Sequence, residues 1–233
     1  MSDRRRGRGD RLPAMPGCDC PGHENVFSER MADDDLQRYL RKGPDRPIRV
    51  LTEAILAEGI DAASVLDIGG GVGAMQFELL AVGAASADSV DASPAFVAVA
   101  RREAERRGVA DRIVHRQGDF VMLAPEVPAA DVVTLVRSVC CYGAMPALLG
   151  RATEHARRMV GIVYPRDTWW TRVGAWAMNV AFHLARDAFR IHVHSERAMD
   201  RLIRDAGFER RLLSRGLIWQ VALYVRPVPT ASR

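Results

Sequence analysis

The stretch VLDIGGGVGAMQFELL, residues 65–80, decides how the rest of this chain is read. A short, largely apolar run (65–68) feeds a turn in which four of five residues are glycine, and helix-forming residues follow. A strand that turns through glycines into a helix exposes the unpaired N–H groups of the helix start and removes the side chains that would cover them. One ligand suited to this device is a dinucleotide, whose pyrophosphate sits at the helix start. The spacing Gly69, Gly71, Ala74 formally satisfies the corresponding G-x-G-x-x-A pattern.

Outward from that turn, apolar runs alternate with helical segments of about 10–15 residues, the pattern of a parallel sheet covered on both faces. DDDLQRYLRKGPDRPIRVLTEAILAEG predicts one or two helices broken near Gly43 and Pro44. SADSVDAS is a second strand, and PAFVAVARREAERRG a helix opened by Ser93 and Pro94 and ended by Gly108. RIVHRQGDF, DVVTLVRSVCC and RRMVGIVYPRD are the third, fourth and fifth strands, with PALLGRATEHA as a helix between the last two. SERAMDRLIRDAGF is a helix with Ser195 as its cap, and FERRLLSRG followed by LIWQVALYVR reads as a hairpin that adds an antiparallel edge. The fold class expected is therefore α/β, a three-layer Rossmann-like arrangement with a mostly parallel seven-stranded sheet and an antiparallel last strand.

Acidic residues at the strand ends separate the ligand classes. Asp67 closes the first strand two residues before Gly69, where a pyrophosphate would be repelled and a cationic or amino-bearing ligand favoured. Asp91, twenty residues beyond Gly71, is placed to accept from a ribose diol, and Asp119 in GDF to accept from an adenine amino group. Three carboxylates around a pocket without a lysine or arginine suit S-adenosylmethionine, cationic at sulfur, better than NAD.

VLDIGGGVG, VDASP and GDF, in this order and spacing from about Leu51 to Arg226, resemble the class I S-adenosylmethionine-dependent methyltransferases. The resemblance implies that Asp67 lies near the methionine amino end and that Gly69, Gly70 and Gly71 line the cofactor. It also implies that Asp91 and Ala92 lie at the ribose, Asp119 and Phe120 at the adenine, and Arg137 nearby. LDIGGGVG, VTLVRSVCCY and VYPRD also resemble a bacterial subset of small-molecule methyltransferases, distantly like magnesium-protoporphyrin O-methyltransferase. Members that methylate adenine or glutamine amides often carry an Asn/Asp-Pro-Pro-Tyr/Phe motif after the fourth strand. Here that place reads SVCCYG, so no specific nucleic-acid partner is expected and a small-molecule acceptor is. An NAD-dependent oxidoreductase and a catalytically silent cofactor-binding or interaction protein are the competing readings.

The acceptor should lie beyond the fourth and fifth strands, where Cys140, Cys141 and Tyr142 stand. The segment TWWTRVGAWAMNVAFHLARDAF, within a helical insertion over 168–190, is too long for a simple connection and holds Trp169, Trp170 and Trp176, three of the chain's four tryptophans. A helix over 173–185 would be apolar almost all round and too short to span a membrane. It reads as a buried helix or homodimer contact, as a lid in which Trp169 and Trp170 bind an apolar or aromatic acceptor, or as a membrane-surface contact through 169–185. His183, His192, His194, Tyr142 and Asp167 are the candidate general bases.

Of the net charge of +4, residues 1–11 supply +3, five arginines against two aspartates. That distribution describes a basic arm, not a basic recognition face. Residues 1–30 read as a flexible tail, 31–226 as the methyltransferase domain and 227–233 as a C-terminal tail. No secretory signal or transmembrane segment is evident, so a cytoplasmic protein is expected. Cys18, Cys20 and His23 form C-x-C-x-x-H, which departs from zinc-knuckle spacing. No metal is expected. Adjacent cysteines in a strand point to opposite faces, so one of Cys140 and Cys141 should face the pocket.

Overall fold

A computed structural model describes residues 26–227. Cys18, Cys20 and His23 lie outside the described residues. Two helices, α1 (Glu29–Lys42) and α2 (Arg46–Ala57), open the chain. Gly43 at φ +70° ends the first, and Asp45 caps the second by accepting from the Ile48 N–H at 3.3 Å. Phe27 packs on Phe96, and α1 starts at Glu29, both upstream of residue 31.

The alternating core is β1 (Ser64–Ile68), α3 (Ala74–Ala81), β2 (Ser86–Asp91), α4 (Pro94–Arg106), β3 (Ile113–Gln117), a short α5 (Phe120–Leu123), β4 (Ala130–Val136), α6 (Met145–His155) and β5 (Ala156–Pro165). An inserted helix α7 (Trp169–Leu184) precedes α8 (Glu196–Asp205), β6 (Glu209–Arg215) and β7 (Trp219–Val225). The seven strands form one sheet in the order β3-β2-β1-β4-β5-β7-β6. All pairings are parallel except those of β7, antiparallel to both β5 and β6. The sheet is the expected one, with a correction at its border. β7 lies inside, against β5, and the edge strand is β6. The residues explain the swap, because β7 (WQVALYV) is apolar enough for two covered faces, whereas β6 (ERRLLSR) carries four charged residues of seven.

Strand alternation builds two cores. Leu66 and Ile68 join Val133, Leu135, Val160 and Tyr224 on the α6 and α8 face. Val65 joins Val132, Met159 and Leu223 on the α2 and α3 face. Asp67 shares Val65's side of the strand, so the sheet carries a carboxylate into its covered interior.

Two further expectations are corrected. The fourth strand ends at Val136, and Val139–Cys141 form a single 3-10 turn, so Cys140 and Cys141 do not alternate across a sheet. The break is set at Arg137, whose φ of +61° turns the backbone out of the strand. The tryptophan segment does not form a buried helix: along α7 only Thr171 is buried.

Candidate functional site

Strand order reverses between β1 and β4, with β2 and β3 on one side and β5 on the other. In open α/β sheets a crevice forms at that point beyond the strand C-termini. The turns after β1 and β4 meet there. A Cβ on Gly69 would lie 2.4 Å from Cβ of Ser138, and Gly69 holds φ +71° while its N–H bonds the Val90 carbonyl. At Gly70 an added Cβ would lie 2.4 Å from Oγ of Ser89. These two glycines are therefore required by close approach of the chain to itself. Gly71, where an added Cβ meets only Phe96 at ordinary contact distance, keeps the open side of the turn.

Asp67 is 1% exposed. Its Oδ1 accepts from the Thr134 hydroxyl at 2.7 Å, and its Oδ2, fully buried, has no hydrogen-bond partner among the described residues. Burial pushes its carboxyl up to about 7; the Thr134 bond opposes the shift and the Asp91 charge adds to it. A buried carboxylate oxygen without a donor is costly, and a cationic amino group beside it would relieve that cost.

Asp91 is bound to the turn itself. Its Oδ2 accepts from the Gly71 N–H at 2.9 Å and its Oδ1 from the Ser93 N–H at 2.8 Å. These two backbone bonds fix the carboxylate in orientation at the end of β2. Ala92 is half-buried between these two anchors. Asp119 caps α5 through the Val121 N–H at 2.8 Å and accepts the Tyr142 phenol at 3.0 and 3.2 Å. Phe120 packs into the core, edge to face on His155. Arg137 points its guanidinium at Asp45 and over the Trp219 ring, so it is tied to the α2 and β7 side. Its backbone carbonyl accepts the thiols of Cys140 at 3.1 Å and Cys141 at 3.6 Å.

The residues 191–194 lie over the turn after β4. The His192 N–H donates to the Cys140 carbonyl at 2.7 Å, and His194 Nε2 lies 3.1 and 3.0 Å from the carbonyls of Val139 and Tyr142. Two carbonyl partners assign the proton of His194 to Nε2. The two imidazoles stack with centroids 5.6 Å apart, and burial lowers the pKa of each. His192 Nε2 would stand 3.4 Å from a Cβ on Gly143, next to Tyr142.

Tyr142, His192 and His194 are thus brought together with the two cysteines. The other base candidates are not. His183 lies exposed on α7, and Asp167 pairs with Arg172 at 2.7 Å. Trp169 and Trp170 pack on each other and remain exposed, with Arg166 over the Trp170 ring. Among the described residues no group of three His, Cys, Asp or Glu could hold a metal ion. A surface depression of about 400 Å³ lined by Arg101, Glu105 and His115 runs along β3 and includes none of these residues.

Two contributors escaped the sequence reading. Thr134 is the one hydroxyl in ADVVTLV, a signal that was available in the sequence. Phe27 was not readable: its carbonyl accepts the Ser93 hydroxyl at 3.0 Å, and its ring packs edge to face on Phe96 and on Phe189. The chain entering α1 thereby closes over the end of β2 and meets the insertion.

Residues 65–160 match the family model described as a methyltransferase domain. None of the curated proteins matches the chain. Magnesium protoporphyrin IX methyltransferase (ChlM) from Synechocystis PCC 6803, solved with bound SAH, is similar at 18% identity and a TM-score of 0.62, covering 87% of this chain and 99% of that one. An O-methyltransferase family protein from Burkholderia thailandensis aligns at 17% identity and a TM-score of 0.67, over 88% of this chain and 62% of that one. Human N-acetylserotonin methyltransferase in complex with SAM aligns at 19% identity and a TM-score of 0.62, over 89% and 60%. The chain has the class I S-adenosylmethionine-dependent methyltransferase fold.

Proposed function

We propose that this protein transfers a methyl group from S-adenosylmethionine to a small acceptor held beside the Val139–Cys141 turn. The observation that carries the reading is the orphaned, buried Oδ2 of Asp67 at the switch point of the sheet. It asks for a cationic donor, and the same location argues against a pyrophosphate. Gly71's N–H, which a dinucleotide phosphate would use, is already given to Asp91.

S-adenosylmethionine, when bound, supplies an electrophilic methyl on a sulfonium. Asp67 would accept from its amino group, Asp91 from the ribose diol and Asp119 from the adenine amino group. Gly69, Gly70 and Gly71 form the floor of the turn. On the acceptor side His192 is the base the geometry favours. Its ring has no described hydrogen-bond partner, and burial keeps it neutral and able to take a proton. His194 holds the turn through two carbonyls, and Tyr142 links that turn to Asp119. Cys140 and Cys141 wall the acceptor, their thiols turned to the Arg137 carbonyl.

Calorimetry with S-adenosylhomocysteine and NADH tests the cofactor, with binding of the first expected and preference for the second overturning the assignment. Transfer of an isotope-labelled methyl into a metabolite extract, read by mass spectrometry, tests the activity. Tight S-adenosylhomocysteine binding without any labelled product would favour the silent cofactor-binding protein.

A further inference from the structure

We infer that the outer face of α7, together with the β6–β7 turn, is a docking surface for an anionic phospholipid bilayer. Of fourteen large hydrophobic side chains exposed among the described residues, nine lie on α7 or at Leu217 and Ile218. Trp169, Val173, Trp176, Val180 and Leu184 recur at spacings of three and four, which places them in one stripe along the helix. Trp169 is 73% exposed, Trp176 67% and Leu184 79%. The β6–β7 turn extends the stripe. The Arg166 N–H bonds the Ile218 carbonyl at 2.8 Å, its guanidinium reaches the Gly216 carbonyl at 3.1 Å, and the same group lies over Trp170.

The opposite stripe of α7 is the one that holds the helix in place, and it is the more polar. Thr168 and Thr171 form a capping box, and Asn179 exchanges two 2.8 Å hydrogen bonds with the backbone of Ile191. Phe182 meets Phe189 edge to face. A rigidly seated helix that turns its polar stripe inward and its tryptophans outward presents an apolar patch to its surroundings. At 16 residues it is about 24 Å long and suited to lie in an interface, since no helix among the described residues is long and apolar enough to cross a membrane.

Charge decides between a bilayer and a second copy of this chain. Residues 166–190 carry four arginines against two aspartates, and residues 1–11 carry five against two. These two segments hold more than the whole chain's net charge of +4. The first described residues after the basic segment approach α7 from its inward side, where Phe27 packs on Phe189. Tryptophans flanked by concentrated positive charge complement anionic headgroups, and an apolar face joined to a basic segment is the two-signal arrangement that stable surface binding requires. Two copies facing through this patch would bring like charges together.

The full-length chain should be sedimented with vesicles of phosphatidylcholine alone and with vesicles containing roughly one-third phosphatidylglycerol. At least about tenfold stronger association with the anionic vesicles is expected, weakened by salt, with tryptophan emission quenched by brominated acyl chains. The exposed pair Trp169→Ser and Trp176→Ser should abolish association while leaving the thermal melt unchanged. Equal affinity for both vesicle types, or none for either, overturns the inference. A stable dimer that shields the two tryptophans and ignores vesicles overturns it in favour of a second copy.

Discussion

The Thr134 hydroxyl donates to Oδ1 of Asp67 at 2.7 Å, while Oδ2 of the same carboxylate faces no donor among the described residues. Neighbours in the sheet, β1 and β4 pair these residues directly, Cα to Cα. Half of the carboxylate is satisfied by the fold, and half has no donor among the described residues.

That division has a pH signature. Burial raises the folded carboxyl from the ordinary aspartate value of about 4 to about 7. The stability linked to Asp67 is thus fully present below pH about 4 and is lost as pH rises through about 7. The ligand-free Asp67→Asn variant lacks this loss, so it should melt higher than the parent at pH about 8, by roughly 5 °C, with the gap closing toward acid pH. The same variant should bind S-adenosylhomocysteine at least about tenfold more weakly, because a carboxamide offers less to an ammonium group. Melting curves across pH, beside calorimetry, check both halves. A parent and variant with parallel pH profiles would show that Asp67 is already ionised in the free protein.

Asp91 ties the glycine turn to the start of α4 through Gly71 and Ser93. Asp91→Ala should therefore weaken S-adenosylhomocysteine binding by more than the loss of two ribose hydrogen bonds, and Asp91→Asn by less. The amide oxygen of asparagine can keep one backbone anchor, which alanine cannot. Equal affinities for the two variants would place the ribose elsewhere.

Gly69→Ala tests the junction of the two turns. A methyl group would stand 2.4 Å from Cβ of Ser138, on a backbone at φ +71°. Destabilisation of about 2–4 kcal/mol is expected from overpacking and strain together. Ser138→Gly in the same chain should restore the overpacking share and leave about 1 kcal/mol of backbone cost. A single Gly69→Ala variant with parental stability would contradict the tight approach of the turns.

Much of this arrangement was legible in the sequence because strand ends are marked by local chemistry. Asp67, Asp91 and Asp119 each stand at or just beyond the C-terminal end of a strand, and the sheet topology places all three at one border. Contacts between distant segments were not legible. Nothing local joins Tyr142 to Asp119, His194 to Val139, or Phe27 to Phe189. VVTLVRSVCC resumes apolar residues after Arg137 and Ser138, so its pattern carries the strand on to the cysteines, whereas the positive φ at Arg137 ends it at Val136. The insertion misled for a sharper reason. An apolar helix ordinarily turns its least polar stripe to the core, whereas α7 uses Thr171 and Asn179 as its inward anchors. A pattern without a polar outer stripe cannot say which side faces water.

His192 and His194 stack on each other, yet their roles should separate under substitution. His194 spends Nε2 on the carbonyls of Val139 and Tyr142, so His194→Ala should loosen the acceptor turn, raise KM for the acceptor and lower stability. His192 has only its backbone N–H committed, to the Cys140 carbonyl, and that bond survives side-chain removal. His192→Ala should lower kcat by about 10²–10⁴ for a hydroxyl acceptor while S-adenosylhomocysteine affinity stays unchanged. Because burial lowers the pKa of His192, its neutral form persists into mildly acidic solution. The rise of kcat/KM with pH should have its midpoint below the ordinary imidazole value of about 6.5, and that limb should vanish in His192→Ala. Retention of the limb in that variant, with its loss in Tyr142→Phe, would move the base to the phenol that Asp119 holds.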